Sequence, residues 1–271
     1  MSTSYILELY QRIDYVQQVQ LKESEIRALS LYNEANAANR AKSDFLSVMS
    51  HELRSPLISV RGVAEMMEQQ FLGPLSDKYR DYATDVRTSA DHLVSIINDI
   101  LDYSKMTGGK WELAAQDIDG AVLIQESITL IQGLLHEKNI TVETRISAPL
   151  TLHLDARLGR QMLTNLLSNA VKFSPEKSRI IVTLERLEDG AARISVTDHG
   201  KGIPEADLAR VLLPFEQVSD PHQRDTGGTG LGLPFVVEAM RQHGGTLELE
   251  STVNVGTTVK LLFPAARVVA A

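Results

Sequence analysis

An α+β fold is predicted: a helical hairpin that pairs with a second copy into a four-helix bundle, followed by an α/β sandwich. Three observations carry this reading. From residue 2 to about residue 105 apolar residues recur every three or four positions, interrupted only by Pro56, Gly62, Gly73 and Pro74. Met106-Thr-Gly-Gly-Lys110 then breaks the helical pattern. Beyond it, short strand-like segments alternate with helical ones, the mix of a sheet covered by helices.

A length of 271 residues fits one large or two modest domains, at ~100–200 residues each. Hydrophobic residues at 43% and charged residues at 23% exclude disorder over most of the chain. Lysine and arginine (27) against aspartate and glutamate (35) leave a net charge of −8, which repels phosphate backbones and argues against a general nucleic-acid binder. A local pocket for a nucleotide and its magnesium stays possible. Cysteine is absent, which excludes disulfides, thiolate metal sites and thiol nucleophiles. No apolar run approaches the ~18–20 residues of a membrane helix, and the first residues lack the order of a signal peptide. The expectation is a soluble, cytoplasmic chain without a membrane segment.

Residues 1–42 read as a helical lead-in. Ile6, Leu9, Ile13 and Val16 make a short coiled-coil seam, which falters across Asn33-Glu-Ala-Asn-Ala-Ala-Asn-Arg-Ala-Lys42. The segment is either a polar-faced lead-in or a signalling coiled coil that tolerates two registers. Residues 43–106 form the hairpin. Its first helix carries Phe45, Met49, Leu53, Val60, Ala64 and Met67, and its second Val86, Ala90, Leu93, Ile97, Ile100 and Ser104. The turn formers of Phe71-Leu-Gly-Pro-Leu-Ser-Asp77 separate them. An apolar face this wide on both helices calls for a second hairpin. Residues 111–264 form the sandwich. Helices are predicted near 120–137, 155–173, 205–212 and 231–243, and strands near 140–146, 179–187, 192–197, 246–250 and 257–263. Residues 265–271 read as a frayed tail.

Three signals in the sandwich bear on chemistry. Asp155 is a candidate N-cap for a helix whose core face is Leu163, Leu166, Leu167 and Ala170. On that helix Asn165, Asn169 and Lys172 stand at i, i+4 and i+7 and project from one side. Leu158 and Met162 extend the row, so it is partly covered rather than a solvated face. An amide oxygen for Mg²⁺ and an ammonium for phosphate would explain that mixture. Asp198-x-Gly200-x-Gly202 follows a strand. Its glycines let the backbone turn sharply beneath a flat ligand, and its carboxylate can accept from an exocyclic amine, although a plain turn is as common for this pattern. Thr226-Gly-Gly-Thr-Gly-Leu-Gly-Leu-Pro234 opens the next helix and aims backbone N–H groups at a phosphate. Upstream, Ser219-Asp-Pro-His-Gln-Arg-Asp225 reads as a mobile lid in which Arg224 faces phosphate.

Taken in order, Asn165-x3-Asn169, Asp198-x-Gly200-x-Gly202, Pro214-Phe215-Glu216 and Gly228-Thr229-Gly230-Leu231-Gly232-Leu233 resemble the asparagine, first glycine, phenylalanine and second glycine boxes of histidine-kinase ATP-binding domains. Phe45-Leu-Ser-Val-Met-Ser-His-Glu-Leu-Arg-Ser-Pro-Leu57 resembles the phosphoacceptor box of the same family. The segments 71–79 and 97–104 are similar to the alphaproteobacterial cell-cycle kinases of the PleC/DivJ type. The resemblance implies a Bergerat-type ATP-binding domain and an ATP-dependent protein-histidine kinase. ATP would bind between the asparagine-box helix and the lid, Asn169 would hold Mg²⁺, Asn165 and Lys172 would stand near the phosphates, and Asp198 would read adenine. The phosphoryl group would pass to His51 and then to an aspartate of a response-regulator receiver domain. The family most often carries Thr or Asn four residues after the histidine, where this chain has Ser55; that position helps orient water when the regulator is dephosphorylated.

Residue by residue, the phosphoacceptor segment agrees. His51 lies two positions past Met49, about 200° round a helix of 3.6 residues per turn, and so off the apolar stripe. Glu52 is placed to act as general base, leaving the other ring nitrogen to attack phosphorus. Ser55 lies one turn away on the face of His51, where its hydroxyl either orients water or bonds back to the His51 carbonyl. Pro56 removes the N–H that the Glu52 carbonyl would accept, predicting a bend.

Overall fold

The computed structural model describes residues 52–108, 111–217 and 229–269, together with a few helical positions between 17 and 50. His51, Arg224, Gly228, the coiled-coil seam at residues 6–16 and the lid at 219–225 lie outside the described residues.

Helix α1 occupies residues 52–68 and runs on through Pro56. The chain reverses through Gln70 (φ 54°) and Gly73 (φ 128°), with Phe71 N–H bonded to the Met66 carbonyl at 3.0 Å. Pro74 and Ser76 then lead into α2, Asp77–Thr107, whose first turn carries Asp77 and whose last carries Lys105, each complementing the helix dipole. Ala64, Ala83 and Ala90 are buried, so the two helices approach closely at small side chains. Polar ties set their register. Arg54 Nη2 donates to Asn98 Oδ1 at 2.7 Å, and Arg87 Nε to Glu68 Oε2 at 2.6 Å. Val60, Val63, Met67, Tyr79, Tyr82 and Val86 remain exposed and border an open apolar groove of about 380 Å³.

The rest of the chain is a two-layer sandwich. It runs β1 (Ala115–Asp119), α3 (Gly120–Leu130), α4 (Gln132–Glu137), β2 (Thr141–Ile146), β3 (Thr151–Asp155), α5 (Ala156–Phe173), β4 (Arg179–Arg186), β5 (Ala192–Thr197), α6 (Glu205–Leu208), a 3-10 turn (Arg210–Leu212), α7 (Gly232–Gln242), β6 (Thr246–Thr252) and β7 (Gly256–Phe263). Five strands form one sheet in the order β2-β4-β5-β7-β6, with β2 and β4 parallel and the other pairs antiparallel. In β4, buried Ile180, Val182 and Leu184 alternate with less buried neighbours, so one sheet face takes the helices. Leu158, Met162 and Leu167 of α5 and Val236, Ala239 and Met240 of α7 pack in the same core. Met106, at the end of α2, joins them.

Four features correct or extend the sequence reading. The helix predicted over 120–137 is two helices, because the chain turns at Ile131 and buries both Ile131 and Leu135. Strands β1 and β3 escaped the sequence reading; they pair antiparallel, with Leu152 and Leu154 buried and Ile118 packed against the same core. The expected frayed tail is docked as far as residue 269. Val268 bridges Leu152, Val269 N–H bonds the Thr151 carbonyl at 2.9 Å, and Arg267 Nε donates to the His243 carbonyl at 3.0 Å. Finally, α2 packs partly on the chain's own sandwich: Gln161 Nε2 donates to Asp102 Oδ2 at 3.3 Å. The apolar groove nearer the hairpin turn stays open all the same.

Candidate functional site

A cleft of about 570 Å³ lies between the C-terminal half of α5, the loop after β5 and the start of α7. Each wall has a local cause. Asp155 caps α5: its Oδ1 accepts from Arg157 N–H (2.9 Å) and Leu158 N–H (3.2 Å). Leu158, Met162 and Leu166 anchor the helix inward, which leaves Asn165, Asn169 and Lys172 half-buried along the cleft. The far end of α5 is held by Lys138, whose Nζ donates to the carbonyls of Val171 (2.9 Å), Lys172 (2.8 Å) and Ser174 (3.2 Å). Those carbonyls lack helical partners, and a cation there also complements the dipole.

The loop after β5 is fixed by a carboxylate and two glycines. Asp198 Oδ1 accepts from Gly200 N–H at 2.8 Å and from Thr257 N–H at 3.2 Å, which leaves Oδ2 for a ligand. Burial pushes the Asp198 carboxyl above the ordinary carboxylate pKa, with the two N–H groups pulling the other way. A donor from a ligand would relieve that burial of charge. Gly202 has φ +69°, and a Cβ there would meet the Thr252 carbonyl oxygen at 2.1 Å, so only glycine fits.

The third wall is the start of α7. Thr229 Oγ1 accepts from Leu231 N–H at 3.1 Å and donates to Asp99 Oδ2 of α2 at 3.4 Å. Gly230 (φ +67°) lies against Phe215, whose N–H bonds the Gly230 carbonyl at 3.0 Å and whose own φ is 66°. Leu231 is buried just before α7 begins at Gly232, so the helix N-terminus opens towards the cleft, and Asn169 Nδ2 is 3.5 Å from where a Gly232 Cβ would stand.

Of the residues expected from the sequence, Asn165, Asn169, Lys172, Asp198, Gly202, Thr229, Gly230 and Gly232 line this cleft. Gly200 and Leu231 are buried behind its walls, and Phe215, itself exposed, meets Gly230 through the backbone. Glu52 and Ser55 do not reach it; both are exposed on α1, where the Ser55 carbonyl accepts from Ser59 Oγ at 3.3 Å. Sequence reasoning missed Lys138, Lys201 and the α2 residues His92, Ser95, Ile96 and Asp99, which also border the cleft. Lys201 stands between the two glycines of Asp198-x-Gly200-x-Gly202, a local signal that could have found it, whereas nothing local marks the others, because the fold brings them there. Burial raises the Asp99 carboxyl pKa, and Thr229 partly offsets it.

Among the described residues no group of three or more His, Asp or Glu side chains is placed to hold a metal unaided. The donor set nonetheless suits Mg²⁺ shared with a phosphate ligand, since that ion takes few protein oxygens and keeps waters and phosphate oxygens. Asn169, half-buried beside the α7 N-terminus, carries an amide oxygen of the hard type that such an ion takes.

The chain resembles known proteins along most of its length. Residues 41–109 match the His Kinase A (phospho-acceptor) domain, and residues 154–267 match the histidine kinase-, DNA gyrase B- and HSP90-like ATPase family. In Caulobacter vibrioides, the non-motile and phage-resistance protein is 39% identical over 234 residues, which cover 85% of this chain and 28% of that protein. Histidine protein kinase DivJ of the same organism is 39% identical over 234 residues, covering 85% of this chain and 38% of DivJ. The chain thus spans well under half the length of these relatives. The crystal structure of full-length ShkA in complex with AMPPNP superposes with a TM-score of 0.69 at 32% identity, over 82% of this chain and 45% of that one.

Proposed function

From a chain that belongs to the histidine-kinase family, with its phosphoacceptor and ATP-binding domains in that order, we propose an ATP-dependent protein-histidine kinase core. Residues 43–106 act as the dimerisation and phosphotransfer hairpin and residues 111–264 as the catalytic domain. The observation that carries the reading is the cleft, which sets the half-buried Asp198 carboxylate, an Asn-Asn-Lys row and an open helix N-terminus around a space fit for a nucleotide.

In that space Asp198 Oδ2 accepts from the adenine amine. The N–H groups at the start of α7, with Lys172 and Asn165, hold the phosphates. Asn169 supplies an oxygen to Mg²⁺, which when bound neutralises charge on the phosphate oxygens. A ring nitrogen of His51 attacks the γ-phosphorus while Glu52 takes the proton from the other nitrogen; the bond to the bridging oxygen breaks and ADP leaves. Positioning and charge neutralisation supply the rate. The phosphoryl group then passes to an aspartate of a response-regulator receiver domain. Ser55, exposed on α1, orients water when that aspartate is dephosphorylated.

Two copies pair through their hairpins, an arrangement supported by the open apolar groove along α1 and α2. Among the described residues no helix is long and apolar enough to cross a membrane.

Incubation with γ-labelled ATP and Mg²⁺ tests the reading. Acid-labile, alkali-stable label should form on the wild-type chain and vanish in His51→Ala, while nucleotide binding persists. Label remaining on His51→Ala would overturn the acceptor assignment.

A further inference from the structure

Lys201 occupies the variable position between the two glycines of Asp198-x-Gly200-x-Gly202. Its backbone is held from three sides. A Cβ on Gly200 would stand 2.6 Å from the Phe173 carbonyl oxygen, and one on Gly202 would stand 2.1 Å from that of Thr252. The Lys201 carbonyl itself accepts from Asn254 N–H at 2.8 Å. The residue is thereby fixed on the cleft wall that carries Asp198.

Its side chain crosses towards α5. Lys201 Nζ lies 5.3 Å from the centre of the Phe173 ring, and Lys172 Nζ lies 5.0 Å from the same centre. Both lysines line the cleft. One aromatic ring therefore gathers two cations at the mouth of a site read as binding a polyanion. The two charges oppose each other: burial, and then the Lys201 charge, hold the Lys172 ammonium below its ordinary pKa. An anion bound within reach of both relieves that repulsion, and the relief grows with the negative charge that it brings.

We propose that Lys201 is a second phosphate-binding cation of the nucleotide cleft and that, with Lys172, it makes the site discriminate nucleotides by their charge. This rests on the reading of the cleft as a nucleotide site. Lys201 contributes to triphosphate binding, less to diphosphate binding and nothing to the nucleoside.

The test is Lys201→Gln in the whole chain, titrated with ATP, ADP and adenosine at low and high salt, with Lys201→Arg as the charge-keeping control. ATP affinity should fall about three- to tenfold in Lys201→Gln, the scale of one partly exposed charge-assisted contact. ADP affinity should fall less and adenosine affinity should hold. The salt dependence of ATP binding should weaken in Lys201→Gln and persist in Lys201→Arg. Equal losses for all three ligands would assign Lys201 to loop support and overturn the proposal. A wild-type chain that binds ATP alongside an unaltered Lys201→Gln would also overturn it, leaving the nucleotide reading intact. A wild-type chain that binds none of the three would overturn both.

Discussion

His243 joins the two helices that build the cleft. It follows α7, and its Nδ1 bonds the Ala239 carbonyl at 2.7 Å, which makes Nδ1–H the donor and Nε2 the acceptor. Nε2 accepts from Asp155 N–H at 3.1 Å, so the ring holds the residue that caps α5. It is 1% exposed and meets Phe263 edge-on. Leucine has similar bulk, so His243→Leu removes the acceptor more than the packing. The Asp155 N–H is then left buried and unpaired, at a cost of about 1–3 kcal/mol. The Ala239 carbonyl keeps a partner in the backbone N–H of residue 243, at 3.2 Å, and adds little. The cost should depend on pH. Burial, and to a smaller degree Arg267, hold the imidazole below its ordinary pKa of 6.5, against the pull of the Ala239 carbonyl and Asp155. The unfolded chain therefore binds this proton more readily than the folded one. The stability contributed by the neutral ring is complete above about pH 6.5 and is lost as pH falls, at up to about 1.4 kcal/mol per pH unit down to the folded pKa. Urea melts can follow Trp111, the sole tryptophan, which packs on the sandwich core beneath the Arg157 guanidinium. The gap between wild type and His243→Leu should be widest near pH 8 and should close towards pH 5. A gap that stays constant across that range would refute the assignment of a buried neutral histidine.

Gly202→Ala forces a side chain into left-handed backbone, at about 1–2 kcal/mol, and drives its Cβ against Thr252. The loop that holds Asp198 must shift, so fluorescent ATP-analogue titrations should show affinity lost by more than about tenfold; unchanged affinity would contradict the close approach. Val63→Glu places a charge in the groove between α1 and α2, where pairing with a second copy would bury it at several kcal/mol. Light scattering at micromolar concentration should show a dimer for wild type and a monomer for the variant, and a dimer that survives would place the interface elsewhere.

The sequence by itself determined what local geometry encodes. Helical periodicity put Asn165, Asn169 and Lys172 on one side of a helix, and Asp155 marked its start as an N-cap, because both depend on residues within a turn or two. Gly202 announced a sharp turn, and the structure shows it in left-handed backbone, for which few other residues are suited. Only the tertiary structure decided what stands opposite those residues. Lys138 caps α5 from 33 residues away, His243 reaches Asp155 across 88, and Asp99 meets Thr229 across 130. β1 and β3 exist as strands only because each supplies the other's ladder, and the tail is docked because β3 offers it an edge and the His243 carbonyl accepts from Arg267. Such contacts leave no periodicity in the chain. A lysine at 138 or an aspartate at 99 looks locally like any solvated charge, and it acquires a role only when folding brings in distant carbonyls or a hydroxyl.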